Sequence, residues 1–426
     1  MTERIALVQG IRTPFSKAGG ALKNYSADQL GTLCLKELMI RSNITVDQID
    51  EVIIGNVAQP ANAANISRVI ALKSGFPNTT SAFTVHRNCA SGLEAISTGM
   101  AKILAGQANI IVAGGTESMS NIPLLFSNQM KAWFEKLFRT KTFSQKLSLF
   151  MQFRLSYLKP VIGVVEGLTD PVCGLIMGLT AENLAKEFKI SRKDQDAYAL
   201  ESHLKAVKGR DKLAEEITAI PNPNLEEMMS IDDGPRDDQS IEALAKLRPY
   251  FDRYNGTVTV GNACPLTDGS AMVILMRESL AKERNLPVLG YIRDSAYAGL
   301  EPHRMGLGPV YATSKVLDRT QLTMSDIDLV EMNEAFAAQI LANLAAFESD
   351  TFSQKFLGKD KALGKIDIDK LNVNGGAIAL GHPVGTSGTR IVLTLLHELK
   401  RRGLQRGLAN LCIGGGQGGA CIVEVE

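Results

Sequence analysis

Two thiols in this chain stand against runs of small residues, Cys89 in Asn88-Cys-Ala-Ser-Gly92 and Cys412 in Leu411-Cys-Ile-Gly-Gly-Gly-Gln-Gly418. Cys89 lies where the apolar run Ser81 to Val85, read as a short buried strand, gives way to Leu93, Ile96, Met100 and Ile103 at helical spacing. That places it at a helix start, where free N–H groups and the positive end of the helix dipole favour a nucleophilic thiolate. The same residues also describe a small, inert core cysteine. Cys412 precedes Gly414 to Gly416, which read either as a tight hairpin or as bare N–H donors for an oxyanion beside a second thiol. No Gly-Lys-Ser/Thr follows, so these glycines are not a phosphate loop.

A base stands in Gly381-His-Pro-Val-Gly-Thr-Ser-Gly388, where the flanking glycines and proline suggest that His382 occupies an exposed turn. His203 and His397 sit in charged helical patterns and read as solvated, and His86 and His303 are left open. Asn333, in Met332-Asn-Glu-Ala-Phe-Ala337, either caps a helix or holds a catalytic water.

These residues need elements to position them. Strand-like runs alternate with helical patterns: Ile5 to Gln9, a helix from Ser26 to Ile40, Glu51 to Val57, a helix at Ile66 to Ser74, and Ala108 to Ala113. This is an α/β layout. The order returns after Pro287, with Val288 to Arg293, a helix through Ala312 to Leu317, and Leu329 to Met332. Ile49-Asp-Glu-Val52 echoes Ile327-Asp-Leu-Val330, and Ile110-Ile-Val-Ala-Gly-Gly115 echoes Leu411-Cys-Ile-Gly-Gly415. Two duplicated halves are therefore expected, residues 1–120 with 256–284 and residues 285–426. An excursion over 121–255 reads as a cap over a site.

With 426 residues, 45% of them hydrophobic, the chain is long enough for more than one core. Its 46 basic and 45 acidic residues give no global reason to expect nucleic acid as a partner. Six scattered cysteines without Cys-x-x-Cys pairs support neither a zinc site nor a disulfide framework, and point to a reducing, cytosolic setting. The start shows neither a signal peptide nor a basic presequence, and no apolar run is long enough to span a bilayer.

Asn-Cys-Ala-Ser-Gly at 88–92, Asn-Glu-Ala-Phe-Ala at 333–337, Gly-His-Pro-Val-Gly-Thr-Ser-Gly at 381–388 and Cys-Ile-Gly-Gly-Gly-Gln-Gly at 412–418 together resemble the motifs of the thiolase family, in family order. The resemblance implies the duplicated, five-layered αβαβα thiolase fold with a loop domain at 121–255 over a coenzyme A channel. It implies that Cys89 is acylated, that His382 takes its proton, that Cys412 moves protons, that Asn333 holds a water, and that Gly414 and Cys89 supply oxyanion N–H groups. For coenzyme A, a co-substrate and not a tightly bound cofactor, it implies Arg236 near the nucleotide and Met177, Cys264 and Phe336 along the pantetheine. Two departures fall on that channel: Ile176 replaces the histidine of His-Met-Gly, and Val260-Gly-Asn-Ala-Cys-Pro265 replaces Ala-Gly-Asn-Ala-Ser-Gly. With the aromatic, basic segment Leu124 to Pro160, these are most similar to the β-subunits of trifunctional fatty-acid oxidation complexes, particularly bacterial ones.

The activity so implied is 3-ketoacyl-CoA thiolysis in fatty-acid β-oxidation, with a homodimer and a hydratase/dehydrogenase α-subunit as partners and a possible peripheral membrane contact. Biosynthetic acetoacetyl-CoA condensation is the nearest alternative. A decarboxylating 3-ketoacyl synthase would lack Cys412, and a non-catalytic lipid-binding relative would have lost one of Cys89, Asn333, His382 or Cys412. Leu124 to Pro160 carries seven basic residues and a single acid, Glu135. Its Met130, Trp133, Phe134, Leu137 and Phe138 fall at helical spacing, an amphipathic pattern suited to packing on the core or to docking.

Overall fold

In the computed structural model, which describes residues 3–222 and 227–426, one path of hydrogen-bonded strands runs through the molecule. Ile5–Arg12 pairs antiparallel with Thr267–Arg277, which pairs antiparallel with Ile110–Ser118. Glu51–Gly55 and then Ser81–Val85 follow in parallel. The second half repeats this pattern. Gly290–Gly299 pairs antiparallel with Gln417–Glu424, which pairs antiparallel with Arg406–Ile413, and Leu329–Met332 adds in parallel, with a parallel bridge from Val330 to Leu371 beyond it. The halves join where Ile5 to Leu7 pair with Gly290 to Ile292. The weak internal echoes of the sequence therefore mark equivalent strands of a duplicated fold.

The alternation of apolar residues explains the layering, because a strand covered on both faces must carry apolar side chains on both. Val52, Ile54 and Ile110 on one face pack with Ala27–Ser42 and Ile66–Lys73 outside the first half. Leu408, Ala420 and Ile422 pack with Gly308–Thr320 outside the second. Ile53, Ile111, Leu411 and Val423 face inward on the helices Ser91–Leu104 and Ser387–Arg402, which lie between the two sheet halves. Five layers result.

The two central helices meet at their N-terminal ends. A Cβ on Gly92 would lie 2.6 Å from Thr389 Oγ1 and 2.8 Å from the Thr389 backbone nitrogen, and one on Gly388 would collide with the Leu93 backbone. Only glycine permits this approach. The turns that precede the helices, one with Cys89 and the other with His382, are thereby brought to the same end of the molecule.

The excursion builds no separate core. Its helices Met177–Glu187 and Arg192–Lys208 contribute Leu184, Tyr198 and Ala199 to the outer core of the second half. A buried ionic tie holds it to the first half, with the Arg12 guanidinium 2.6 Å from Glu216 and 2.6 Å from Asp232. Losing one partner of such a tie leaves an uncompensated buried charge, a cost of about 3–5 kcal/mol.

Two sequence expectations are corrected. Ser81–Val85 is the half-buried edge of the sheet and not a buried strand, since its outer side has no neighbour. His203 is buried and His397 half-buried, because other segments pack over their helices, which bury the charged Asp196, Arg390 and Glu398 as well. Of the two readings of the basic segment, packing on the core or docking, the first is not met, since its apolar residues do not face the main core. Asn128–Arg139 and Phe143–Met151 fold against each other, Trp133 contacting the rings of Phe134, Phe150 and Phe153 while its Nε1 donates to Leu149 O at 3.1 Å. Phe138, Phe143 and Leu155 are left more than four-fifths exposed, at 84%, 82% and 81%.

Candidate active site

Cys89 lies in the tight turn after Ser81–Val85, two residues before the first helical residue Ser91. Asn88 adopts a left-handed backbone (φ 44°), a conformation asparagine tolerates better than most residues, and its Nδ2 donates to Gly414 O at 2.7 Å. That bond joins the Cys89 turn to the C-terminal glycine turn. The Ser91 hydroxyl closes it from inside, accepting from Arg87 N at 2.9 Å and donating to Asn88 O at 2.7 Å. Burial pushes the Cys89 thiol above its usual pKa, while hydrogen bonds from the Gly414 and Cys89 backbone pull the other way. The expected resting thiolate is thus corrected: desolvation outweighs the helix start, and the thiol is held neutral.

His382 is not in an exposed turn. It is 5% exposed, because Gly381-His-Pro-Val-Gly385 is tucked against the strand Thr267–Arg277, with His382 N donating to Thr267 Oγ1 at 3.1 Å. Burial, with help from Arg390, holds its pKa down at about 3, so the ring is neutral. Nδ1 lies 2.6 Å from Ser387 Oγ, whose hydroxyl also reaches Pro383 O at 3.2 Å. A hydroxyl proton given to Pro383 leaves Ser387 to accept from Nδ1–H. The lone pair is then on Nε2, which is buried and has no partner among the described residues.

Cys412 ends the strand Arg406–Ile413 and is buried beside Met177, Cys264 and Phe336. Burial drives its pKa well up, and both Cys89 and Cys264 add to the rise, so three thiols lie within electrostatic reach of one another. Asn333 does not cap the helix Ala337–Phe347, since Phe336 occupies that position. Its N–H donates to Asn410 O at 2.9 Å, and both side-chain polar atoms are buried without a partner among the described residues. A bare buried amide costs about 1–3 kcal/mol, which a bound water would relieve. The adjacent Glu334 points elsewhere, accepting from Tyr198 Oη at 2.9 Å and Ser202 Oγ at 2.6 Å.

Two spaces that share wall residues open on His382 and on Cys89. A narrow pocket of about 70 Å³ is lined by His382, Cys264, Phe336 and Phe251. A cleft of about 620 Å³ is lined by Asn88, Cys89, Gly414 and much of residues 122–125 and 163–172. Met119, Leu168, Met177 and Val384 line both and form the waist between them. Arg236 stands apart from the reacting groups, exposed and without an ion pair among the described residues, since Asp237 pairs with Arg210 at 3.1 Å. Lys17 is close by: burial and then Arg236 lower its pKa. Lys17 pairs across the sheet with Thr267, the residue that holds His382, so both cations lie on the His382 side.

Sequence reading missed Lys17, Asn88, Ser387 and Glu117. Glu117 is fully buried and accepts N–H bonds at 3.0 Å from Val57, Ala58 and Gly385, clamping the His382 turn to the rim of the cleft. Burial raises its pKa to about 7. A lone carboxylate inside the apolar run Ile110–Ser118 was the available signal.

With this geometry in place, the comparisons are decisive. The thiolase N-terminal domain matches residues 5–279 and the thiolase C-terminal domain matches residues 286–425. The chain belongs to the thiolase family. It is 42% identical to the 3-ketoacyl-CoA thiolase of Yersinia enterocolitica and 43% identical to that of Yersinia pestis, covering 100% of this chain and 97% of each relative. Among solved thiolases, the Bacillus anthracis acetyl-CoA acetyltransferase superposes with a TM-score of 0.86 at 37% identity, covering 99% of both chains. The human mitochondrial 3-ketoacyl-CoA thiolase superposes with a TM-score of 0.85 at 36% identity, again over 99% of both, and the same protein in complex with CoA gives 0.85.

Buried neutral histidines make this thiolase fold acid-sensitive. Burial first, then Arg236 and Lys17, hold His203 at a pKa of about 4, against about 6.5 unfolded. The unfolded chain therefore binds the proton more readily, and the histidine's contribution is present above pH 6.5 and lost as pH falls toward 4. His203→Gln, which retains an acceptor for Arg236 N, should flatten the fall of the thermal midpoint across that window by the equivalent of a few kcal/mol. Equal slopes in thermal melts of the two proteins would contradict the assignment.

Proposed function

We propose that the chain is a 3-ketoacyl-CoA thiolase, an acyltransferase that cleaves 3-ketoacyl-CoA with coenzyme A to give acetyl-CoA and a shortened acyl-CoA in fatty-acid β-oxidation. The observations that carry this reading are a cleft lined by Cys89 and Gly414, a pocket lined by His382 that shares wall residues with it, Cys412 within electrostatic reach of Cys89, and the unpartnered side-chain amide of Asn333, a residue bonded through its backbone N–H to Asn410, two residues before Cys412. A nucleophile, a neutral base, a second acid/base and a water site are the parts a carbon–carbon thiolysis needs.

In this mechanism His382 Nε2 takes the Cys89 proton as the sulfur attacks the keto carbon, so no resting thiolate is required. The carbon–carbon bond breaks, and the acetyl-CoA enolate is held by imidazolium and a water on Asn333. Cys412 then gives its proton to the enolate carbon, leaving an acyl thioester on Cys89. Incoming coenzyme A gives its thiol proton to Cys412 and attacks the thioester, and the released Cys89 sulfur recovers its proton from His382. The N–H groups of Cys89 and Gly414, both already directed at the sulfur, are suited to hold the tetrahedral oxyanions. Met177, Cys264 and Phe336 would flank the pantetheine, and Arg236, joined by Lys17, would meet the coenzyme A phosphates.

The division into halves 1–120 with 256–284 and 285–426, with residues 121–255 as loop domain, fits this use. A second copy of the chain would cover the half-buried edge strand Ser81–Val85, where Phe83 and Val85 leave apolar surface at an unpaired edge. For the basic helical hairpin, docking to an α-subunit or to an anionic bilayer accounts for the exposed aromatics. Six free cysteines fit a cytoplasmic setting, and no helix among the described residues is long and apolar enough to cross a membrane.

Four outcomes test this reading. Cys89→Ala should abolish acylation by acyl-CoA in intact-mass measurements, whereas Cys412→Ser should keep the label and lose about 10²- to 10⁴-fold in thiolysis. Acyl groups found on Cys412 would invert the roles. Arg236→Ala and Lys17→Ala should each raise the KM for coenzyme A more than they lower kcat, and an unchanged KM in both would remove these cations from the site. Sedimentation should find the wild type dimeric. Changing Lys131, Arg139 and Lys146 together to Glu should weaken α-subunit or anionic-vesicle binding while sparing thiolysis of a short substrate; unaltered binding in both assays would leave the segment without a docking role.

A further inference from the structure

Glu117 is buried beside the reacting groups, and the proposed reaction does not use it. It stands on the strand Ile110–Ser118 with no surface exposed. Its Oε1 accepts from Asn56 Nδ2 and Ala58 N, and its Oε2 from Val57 N and Gly385 N, each at 3.0 Å. An ionised carboxylate offers about four lone-pair sites and no donor, so these bonds occupy all of it. A protonated carboxyl would turn a hydrogen toward one of the N–H groups and displace it. The donor set is built for the anion.

The donors come from two sides of the site. Val57 and Ala58 line the Cys89 cleft, and Gly385 belongs to the turn that carries His382. That turn is also tied to a different strand, Thr267–Arg277, from His382 N to Thr267 Oγ1 at 3.1 Å and from Thr386 Oγ1 to Gly269 O at 2.9 Å. Toward Ile110–Ser118 the approach is too close for side chains: a Cβ on Gly115 would sit 2.1 Å from Gly385 O, and one on Gly385 would sit 2.8 Å from Glu117 Oε2. On this side the Glu117 carboxylate supplies the hydrogen bond to Gly385 N. Glu117 also reaches the nucleophile, since its charge adds to the effect of burial in raising the Cys89 thiol.

We propose that Glu117 is a positioning residue for thiolysis: its carboxylate fixes the His382 turn against the rim of the Cys89 cleft, and taking up a proton there releases the turn. The inference rests on the thiolase reading and adds a residue and a pH dependence to that same site. Burial raises the Glu117 pKa to about 7, with the N–H bonds pulling it down and Asp268, on the strand Thr267–Arg277, pushing it up. The Asn56–Ala58 segment carries no titratable group, and the two turns bring the neutral Cys89 thiol and the neutral His382 ring. On the central helices, Glu94 pairs with Arg87 and Arg390 with Glu331. The ionised form is the active one, so activity is present above the Glu117 pKa and falls as pH drops through it.

The test is kcat and KM for thiolysis of acetoacetyl-CoA and 3-ketooctanoyl-CoA from about pH 5.5 to 9, in the full-length protein and its Glu117→Gln and Glu117→Asp variants. Wild-type kcat should show an acid limb centred near the Glu117 pKa. Glu117→Gln sets an amide nitrogen against two of the N–H donors. Its kcat should fall roughly tenfold to a hundredfold, the loss expected of a misplacement of about 1 Å, the acid limb should vanish, and the KM for coenzyme A should stay within about twofold. Glu117→Asp is a methylene too short to reach both sides but still titrates. It should lose kcat and keep a limb, which keeps the test valid if the glutamine variant does not fold. Wild-type kcat in either variant, or a flat wild-type profile, would overturn the proposal. So would a limb that survives in Glu117→Gln, which would pass the titration to a group such as Glu331, whose pKa burial raises to about 8. Each of these results would spare the thiolase reading, whereas absence of wild-type turnover on both substrates would overturn both.

Discussion

The site depends on a place where two helices come too close for side chains. Ser91–Leu104 and Ser387–Arg402 meet end to end through Gly92 and Gly388, backbone against backbone, in the middle layer. Each helix follows the equivalent strand of its half, so the duplication presents two equivalent turns at that meeting point. One carries Cys89 and the other His382. An added methyl at either glycine would force the helices apart, and overpacking of this kind costs about 1–3 kcal/mol before any effect on the turns. The proposed catalytic pair is thus brought to one end of the molecule because the halves interlock, and neither half carries both residues.

Burial at that junction sets the chemistry. The same desolvation that raises Cys89 and Cys412 lowers His382, so the resting groups are neutral. A helix terminus stabilises a thiolate by about a kcal/mol at an exposed position, which the desolvation of Cys89 outweighs. A neutral pair has an advantage here. In the proposed mechanism the proton would move only as the substrate carbon accepts the sulfur, and the developing charge would meet N–H donors already in place. Glu117 joins the two rims of the site through one carboxylate, and burial raises its pKa to about 7.

The excursion shows how a cap can be firm at its base and open at its tip. Arg12 with Glu216 and Asp232 fastens it to one half, and Leu184 and Tyr198 join the core of the other. Farther out, the hairpin of Asn128–Arg139 and Phe143–Met151 packs mainly on its own aromatic rings. Among the described residues its cations form no ion pair, and its outer phenylalanines remain exposed.

By itself the sequence determined much of this protein. Period-two and helical spacing located the strands at Ser81–Val85 and Leu329–Met332 and the helix after His382, and the four motifs named Cys89, Asn333, His382 and Cys412. Local pattern suffices there, because strand and helix periodicity and turn-forming glycines are written in neighbouring residues. Tertiary structure decided the rest. Whether His382 was exposed, whether Cys89 could rest as a thiolate, and whether Asn333 had a partner all depend on what packs over them from chain segments far away in sequence. Lys17 and Arg236, or Glu117 and Gly385, come together only in the fold, and the apolar cleft belongs to several segments at once. Desolvation and the charge of distant neighbours are properties of a folded volume, and no stretch of residues read in order contains them.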